Sequence, residues 1–176
     1  MNALDLFTPV TSGIFATELA PNFLPALAER VRRGLFPMSG TSRNAYEVIE
    51  LDETGLRFRS TNLWSAINVG LNDVSVNLRD SNELEYTIRF WTWTKYAALL
   101  CLTIFVLLLL ALTVGRSVFP PAWFADFDKA PWLGSSMLIF WGPLWPWLLT
   151  AMHKKSVRYC LERILFEVNE SIITSD

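Results

Sequence analysis

The chain is short of nearly everything that builds a chemical site. It has one histidine, His153, and two cysteines in 176 residues. With one histidine and neither a CxxC nor an HExxH pattern, a zinc centre of ordinary ligand type is excluded. The eight glycines are scattered. No GxGxxG or GK[ST] pattern is present to cradle a phosphate, and no GxSxG to expose a nucleophile. Cys101 falls inside an apolar run and Cys160 on a helical apolar face, so both read as small buried hydrophobes rather than as a disulfide framework. A formal net charge of -2 with no basic stripe argues against nucleic acid as a partner. The acidic pairs Asp52/Glu53 and Glu83/Glu85 fall in turns or on a wet strand face, where solvated charge is the ordinary reading. The expectation is a protein that is not an enzyme, with no catalytic residue, no metal site and no intrinsic cofactor.

Charge is also missing locally. Residues 96–152 hold only four of the 32 charged side chains: Arg116, Asp126, Asp128 and Lys129. Tyr96 to Gly115 is a run of twenty residues without a charge, and Pro131 to Met152 is a run of twenty-two. A helix rises about 1.5 Å per residue, so about twenty residues match a hydrocarbon core of about 30 Å. The first run contains eight leucines, each favouring insertion by roughly 0.5 kcal/mol. The second run carries Pro143 and Pro146, which remove backbone donors and predict a kink. Tyr96 and Trp132 stand at the run ends like interfacial anchors. Two membrane spans are therefore expected.

Basic residues orient such a hairpin. Lys95 precedes the first run, and His153, Lys154, Lys155 and Arg158 follow the second. The stretch between them, 116–130, offsets Arg116 and Lys129 with Asp126 and Asp128. The bias places both termini in the cytoplasm and the connection outside, in an inner bacterial membrane. Phe119, Trp123 and Phe127 recur every four residues in the connection. They suit either a short helix in the headgroup layer, started by Pro120-Pro121, or a loop collapsed on the helix ends. The N-terminus does not read as a signal peptide: no Lys or Arg precedes Arg30, and Asp5 and Glu18 interrupt its apolar residues.

Residues 1–95 form the part before the spans. Residues 1–20 show no clear period and read as an irregular arm whose Leu4, Leu6, Phe7, Ile14 and Phe15 need cover. Pro21 to Leu35 reads as an amphipathic helix, with Phe23, Leu24, Leu27, Ala28, Val31 and Leu35 on one face and Glu29, Arg30, Arg32 and Arg33 on the other. Its arginines either bind anionic headgroups or stand in water over a packed helix. Residues 37–45 read as a linker. Strand patterns follow at Tyr46–Leu51 and Leu56–Ser60, flanking an Asp52-Glu53-Thr54-Gly55 hairpin turn. Ile67, Val69 and Leu71 alternate, and Val74, Val76 and Leu78 alternate in the opposite phase, which demands a turn or bulge at Asn72-Asp73. After an Asp80-Ser81-Asn82 turn, Leu84, Tyr86, Ile88 and Phe90 alternate, and this strand is expected to run through Trp91 and Trp93 to Lys95.

Residues 153–176 form the part after the spans. Val157, Cys160, Leu161, Ile164, Leu165 and Val168 give a clean helical stripe. It suits a helix that returns to cover the sheet, or a seam for a second chain. The fold class expected is an α+β membrane protein, with a transmembrane helical hairpin at 96–152 inserted in a small antiparallel sheet domain covered by amphipathic helices. Helix, antiparallel strands and a C-terminal amphipathic helix over residues 21–170: this order resembles the START-like (helix-grip) arrangement, as found in small bacterial two-span membrane proteins. The resemblance implies an apolar ligand held between sheet and long helix, whereas the few strands and short final helix here depart from it.

Few residues remain as candidate sites. His153, at the cytoplasmic interface, is either a ligand for a haem or chlorophyll metal or a headgroup-level polar residue beside Lys154 and Lys155. Trp141 and Trp145 lie deep in the second run. They suit contact with neighbouring helices or a flat pigment or quinone, or packing on the first span. Ser135, Gly142 and Leu149 recur every seven residues, with Pro146 nearby, and give a partly small-residue face for close helix approach. With Trp123 and Phe127 they form the expected packing surface for lipids and other integral membrane subunits. The spans hold no Asp, Glu, Lys or Arg, so a transporter acting alone is not expected. The function expected is an accessory, structural subunit of a larger membrane complex, with energy-converting complexes, photosynthetic or respiratory, as candidate hosts. The alternative is a membrane-tethered module binding lipid or another apolar ligand, as the START-like resemblance implies.

Overall fold

A computed structural model describes residues 8–16, 18–20, 22–36, 45–80, 83–120, 124 and 129–174. Several expected features lie outside them: Leu4, Leu6 and Phe7 of the arm, the linker over 37–44, Ser81-Asn82, and Trp123 and Phe127 of the connection. The chain divides into two compact units, Met1–Trp93 with Met152–Asp176, and Thr94–Ala151. The fold is α+β.

The first unit is built on five antiparallel strands: β1 (Val10–Ala16), β2 (Tyr46–Leu51), β3 (Gly55–Ser60), β4 (Asp73–Asp80) and β5 (Glu83–Arg89), in the order β1-β5-β4-β3-β2. Three of the expected strands form as their alternation requires. Leu56 and Phe58, Val74 and Val76, and Leu84, Tyr86 and Ile88 are all buried on one face. Cross-strand pairing sets Val74 opposite Ile88 and Val76 opposite Tyr86. On the other face Arg57 pairs with Asp73 at 2.8 Å, and the Arg57 guanidinium holds that carboxyl below its usual range. The Asp52 turn closes as its residue types dictate: Asp52 Oδ1 accepts from Thr54 and Gly55 N–H groups at 2.8 and 2.6 Å.

Two segments differ from the sequence pattern. Residues 10–16 are not an irregular arm but an edge strand on β5. Ser12, Ile14 and Ala16 point outward while Thr11, Gly13 and Phe15 point to the core side, so the apolar residues do not mark the inner face. A side chain at Gly13 would run into the Tyr86 ring. The expected strand over Ile67–Leu71 is instead a short helix, α2 (Leu63–Asn68), followed by Gly70 at φ +80. Buried Asn72 stabilises that helix end by donating to the Ala66 carbonyl at 2.8 Å. The phase change at Asn72-Asp73 is thus the exit from a helix, and the register shifts in the sheet fall at Val48/Glu50 and Leu78/Asp80.

Two helices cover the apolar face. α1 (Phe23–Arg33) buries Phe23, Leu24, Leu27, Ala28 and Val31. The last helix, α6 (Trp145–Ile173), contributes Val157, Leu161, Ile164, Leu165 and Val168 to the same core. Asn169 ties the C-terminal helix to the chain between β1 and α1, accepting from Ala20 N–H and donating to the Glu18 carbonyl, each at 2.9 Å. Tyr86 reaches the helix from the sheet by donating to Glu162, and burial together with that carboxylate pushes its hydroxyl well above the ordinary range. The α1 arginines are matched by acids: Arg33 and Arg32 by Glu29, Arg30 by Glu167.

The second unit contains most of α3 (Trp91–Thr113), then α4 (Gly115–Val118), α5 (Pro131–Ile139), a π-helical turn (Phe140–Leu144) and the first residues of α6. The helix starts at Trp91, so β5 stops at Arg89 instead of continuing to Lys95; Asn72 Oδ1 accepts from Trp93 N–H at 3.0 Å and satisfies a donor of the first turn. Among the described residues, α3 is the one helix long and apolar enough to cross a membrane, and 11% of its most apolar window is buried. The second apolar run is interrupted by the π turn, where Pro143 and Pro146 lack the N–H groups that would continue the ladder. Beyond the turn α6 runs from Trp145 to Ile173.

Candidate functional site

Three places gather the residues of interest. The first is an apolar groove on the second unit. Gly142, in the π turn, lies so close to α3 that a side chain there would meet the Phe105 ring at 2.9 Å. Pro146 and Trp147 continue the wall on α6, and Ala98 and Leu102 on α3, giving a cavity of about 370 Å³. Gly142 and Pro146 are brought together as their residue types suggest. Ser135 is exposed and does not line the groove, because the π turn inserts backbone between positions 135 and 142 and breaks the seven-residue repeat. Ala98 and Phe105 were not singled out from sequence. The signal was there: a small residue one turn after Lys95 in a run otherwise dominated by leucine.

Beside the groove's π turn sits an aromatic cluster. Trp141 and Trp145 meet edge to face with ring centroids 5.5 Å apart, and Phe140 lies 5.0 Å from Trp145. Both indoles are half-buried. Side chains four apart on one helical face meet in this way, and pairs of this geometry favour association beyond simple burial.

The second place is the nest around His153. Its imidazole stacks on Trp93, centroids 4.0 Å apart and planes parallel within 1°, with Phe90 edge-on at 5.5 Å. Nε2 is buried without a hydrogen-bond partner and faces Gly70, where any side chain would collide with it. Burial pulls the imidazole pKa down to about 4. A neutral ring packed this way acts as a wedge between α6 and the Gly70 turn. Metal ligation by Nε2 needs an ion at about 2.0–2.1 Å from it, on a side that Gly70 now occupies. Among the described residues no three His, Cys, Asp or Glu side chains are grouped to hold a metal.

The third place is a cleft of about 720 Å³ at the end of the sheet remote from Arg89. Leu19, Phe23 and Leu24 form one side, and Leu51, Asp52 and Leu78 the other. Its size suits a small ligand, and its lining mixes these apolar side chains with Asn22, Glu53 and Arg79. Cys160 lies on the α6 stripe as its position suggests, and burial pushes its thiol up.

Comparison with protein-family models, with curated proteins and with solved structures gives no match.

Proposed function

We propose that the protein is a non-catalytic accessory subunit of a larger integral membrane complex, held in the inner bacterial membrane by a two-span hairpin with both termini in the cytoplasm. The observation that carries this reading is the outward-facing apolar surface of the second unit. Along α3, Leu99, Leu102 and Leu107 are each more than half exposed. Exposed leucines in that density are stable only against lipid or a partner's apolar surface. The second run contributes the return span, with Gly142 of its π turn set against Phe105 of α3. Lys95 at one end and Lys154 and Lys155 at the other bias both termini to the cytoplasm. The Trp141–Trp145–Phe140 cluster supplies aromatic surface for a neighbouring subunit or a flat pigment, and energy-converting complexes, photosynthetic or respiratory, are the hosts to examine first.

The experiment is purification of the full chain from its native membrane in mild detergent. A stoichiometric membrane partner is expected. Recovery of a lone monomer at every detergent strength counts decisively against the subunit reading, and recovery in detergent-free buffer counts against membrane insertion itself.

A second reading, a tethered START-like module for lipid or another apolar ligand, draws support from the cleft beside Leu19, Phe23 and Leu51. The tight packing of Leu161 and Leu165 over Leu84, Tyr86 and Ile88 speaks against a roomy chamber under the final helix. Lipid extracted from the isolated protein at one molecule per chain, and lost on substituting Leu24 with Trp, would favour this reading over the first.

A further inference from the structure

The groove of the second unit combines two features that the subunit reading does not use. Its lining is Ala98, Leu102, Phe105, Gly142, Pro146 and Trp147, almost wholly apolar. One turn before Ala98, on the same α3 face, stands Lys95. Positions 95, 98, 102 and 105 fall within one helical stripe, and the groove runs along α3 for about 10 Å. Lys95 is exposed and has no ion-pair partner among the described residues. No Asp or Glu occurs among the described residues of this unit. Trp91 and Tyr96, both exposed at the same end of α3, are the residue types that settle at headgroup depth.

We propose that this groove binds one acyl chain of an anionic phospholipid of the cytoplasmic leaflet, with the lipid phosphate paired to Lys95. The inference rests on the reading of the hairpin as membrane-inserted, and specifies what occupies one face of it. A lipid fits both ends of the site at once: an apolar chain for the groove and a negative phosphate for the cation at its head. A partner helix would fill the groove but would have to bring an acidic residue to the interface to match Lys95. Gly142 is needed because any side chain would push Phe105 off and change the groove floor. The indole of Trp147, about half exposed, gives the chain a flat wall.

The test uses the full chain, purified in detergent and reconstituted into nanodiscs of dioleoyl phosphatidylcholine with a minor share of dioleoyl phosphatidylglycerol, then released for native mass spectrometry. Retention of phosphatidylglycerol over phosphatidylcholine by about fivefold is expected, the factor for one basic residue at an anionic headgroup. Lys95→Gln should remove that preference, and Lys95→Arg should keep it. Ala98→Phe places a ring in the groove from an exposed α3 position and should abolish retention of both lipids. Equal retention of the two lipids by the wild type, or retention unchanged in Ala98→Phe, overturns the proposal. So does displacement of lipid by a protein cross-linked at position 98 in native membranes. A chain that never enters the nanodisc fails the membrane reading, whereas one that enters and retains no lipid fails only this site.

Discussion

Leu161 and Leu107 are the same residue in the same kind of helix, yet one is fully buried and the other 60% exposed. The first belongs to the sheet unit, where α1 and α6 press their apolar stripes on a five-stranded sheet and leave charge outside. The second belongs to the other unit, where the leucines of α3 face out and small residues such as Ala97 and Cys101 are the buried ones. The contrast shows that residue type and helix alone do not decide what is inside and what is outside. Against water a leucine stripe must be covered by protein; against hydrocarbon it can be left open, and helices then approach through small residues.

Charge substitutions separate the two cases most sharply. Leu161→Asp places a carboxylate in the protein core and should unfold the sheet unit, at a cost above about 4 kcal/mol. Limited proteolysis and cellular accumulation read that loss, and a variant that resists protease like the wild type shows that the final helix does not close the core. Leu107→Asp puts the same group on an exposed surface. If lipid is the solvent, insertion of α3 becomes less favourable by roughly 3 kcal/mol, seen as a smaller membrane-integrated fraction, with the sheet unit intact. If water is the solvent, the substitution has no effect and the contrast between the units collapses.

Acid acts on the sheet unit through His153. Its value in the folded chain, about 4, lies below the ordinary 6.5 because burial disfavours the cation. The neutral ring therefore supports the fold fully above pH 6.5, and that support is lost as pH falls from 6.5 toward 4. Thermal unfolding of the full chain in detergent should show a falling midpoint between pH 6.5 and 5, flattened in His153→Gln. A wild-type midpoint that stays level across that window removes the buried wedge. The smallest effect is expected from Asn169→Ala, which orphans Ala20 N–H and the Glu18 carbonyl and should cost about 1–2 kcal/mol. A shift confined to the sheet unit, with membrane integration unchanged, shows that the two units are stabilised independently.

Elements with a strong single period were legible from residues alone. The α6 stripe, the α1 face, strands β3 to β5 and the Asp52 turn all express a pattern that neighbouring residues carry by themselves. β1 and α2 were not legible. In β1 the core side holds Thr11, Gly13 and Phe15, and what makes it a strand is the exposed edge of β5 and the space Tyr86 needs over Gly13. In α2 the alternation of Ile67, Val69 and Leu71 mimics a strand, and the decisive group is Asn72, which bonds both the Ala66 carbonyl and the Trp93 N–H. The candidate site divides in the same way. Gly142 and Pro146 stand out as residue types, but the partners that complete the groove lie on the other helix.

Composition and spacing alone determined that this chain carries a long apolar helix, a sheet with one apolar face and an amphipathic helix to cover it, because those properties are sums over neighbouring residues. The tertiary structure decided which backbone groups were satisfied and by whom. It set β1 on the sheet edge and started α3 at Trp91. It opened a π turn at the prolines and closed His153 against Gly70. Apart from the π turn, which the prolines prepare locally, each of those outcomes depends on an atom supplied from far along the chain, and no local pattern encodes the distance to it.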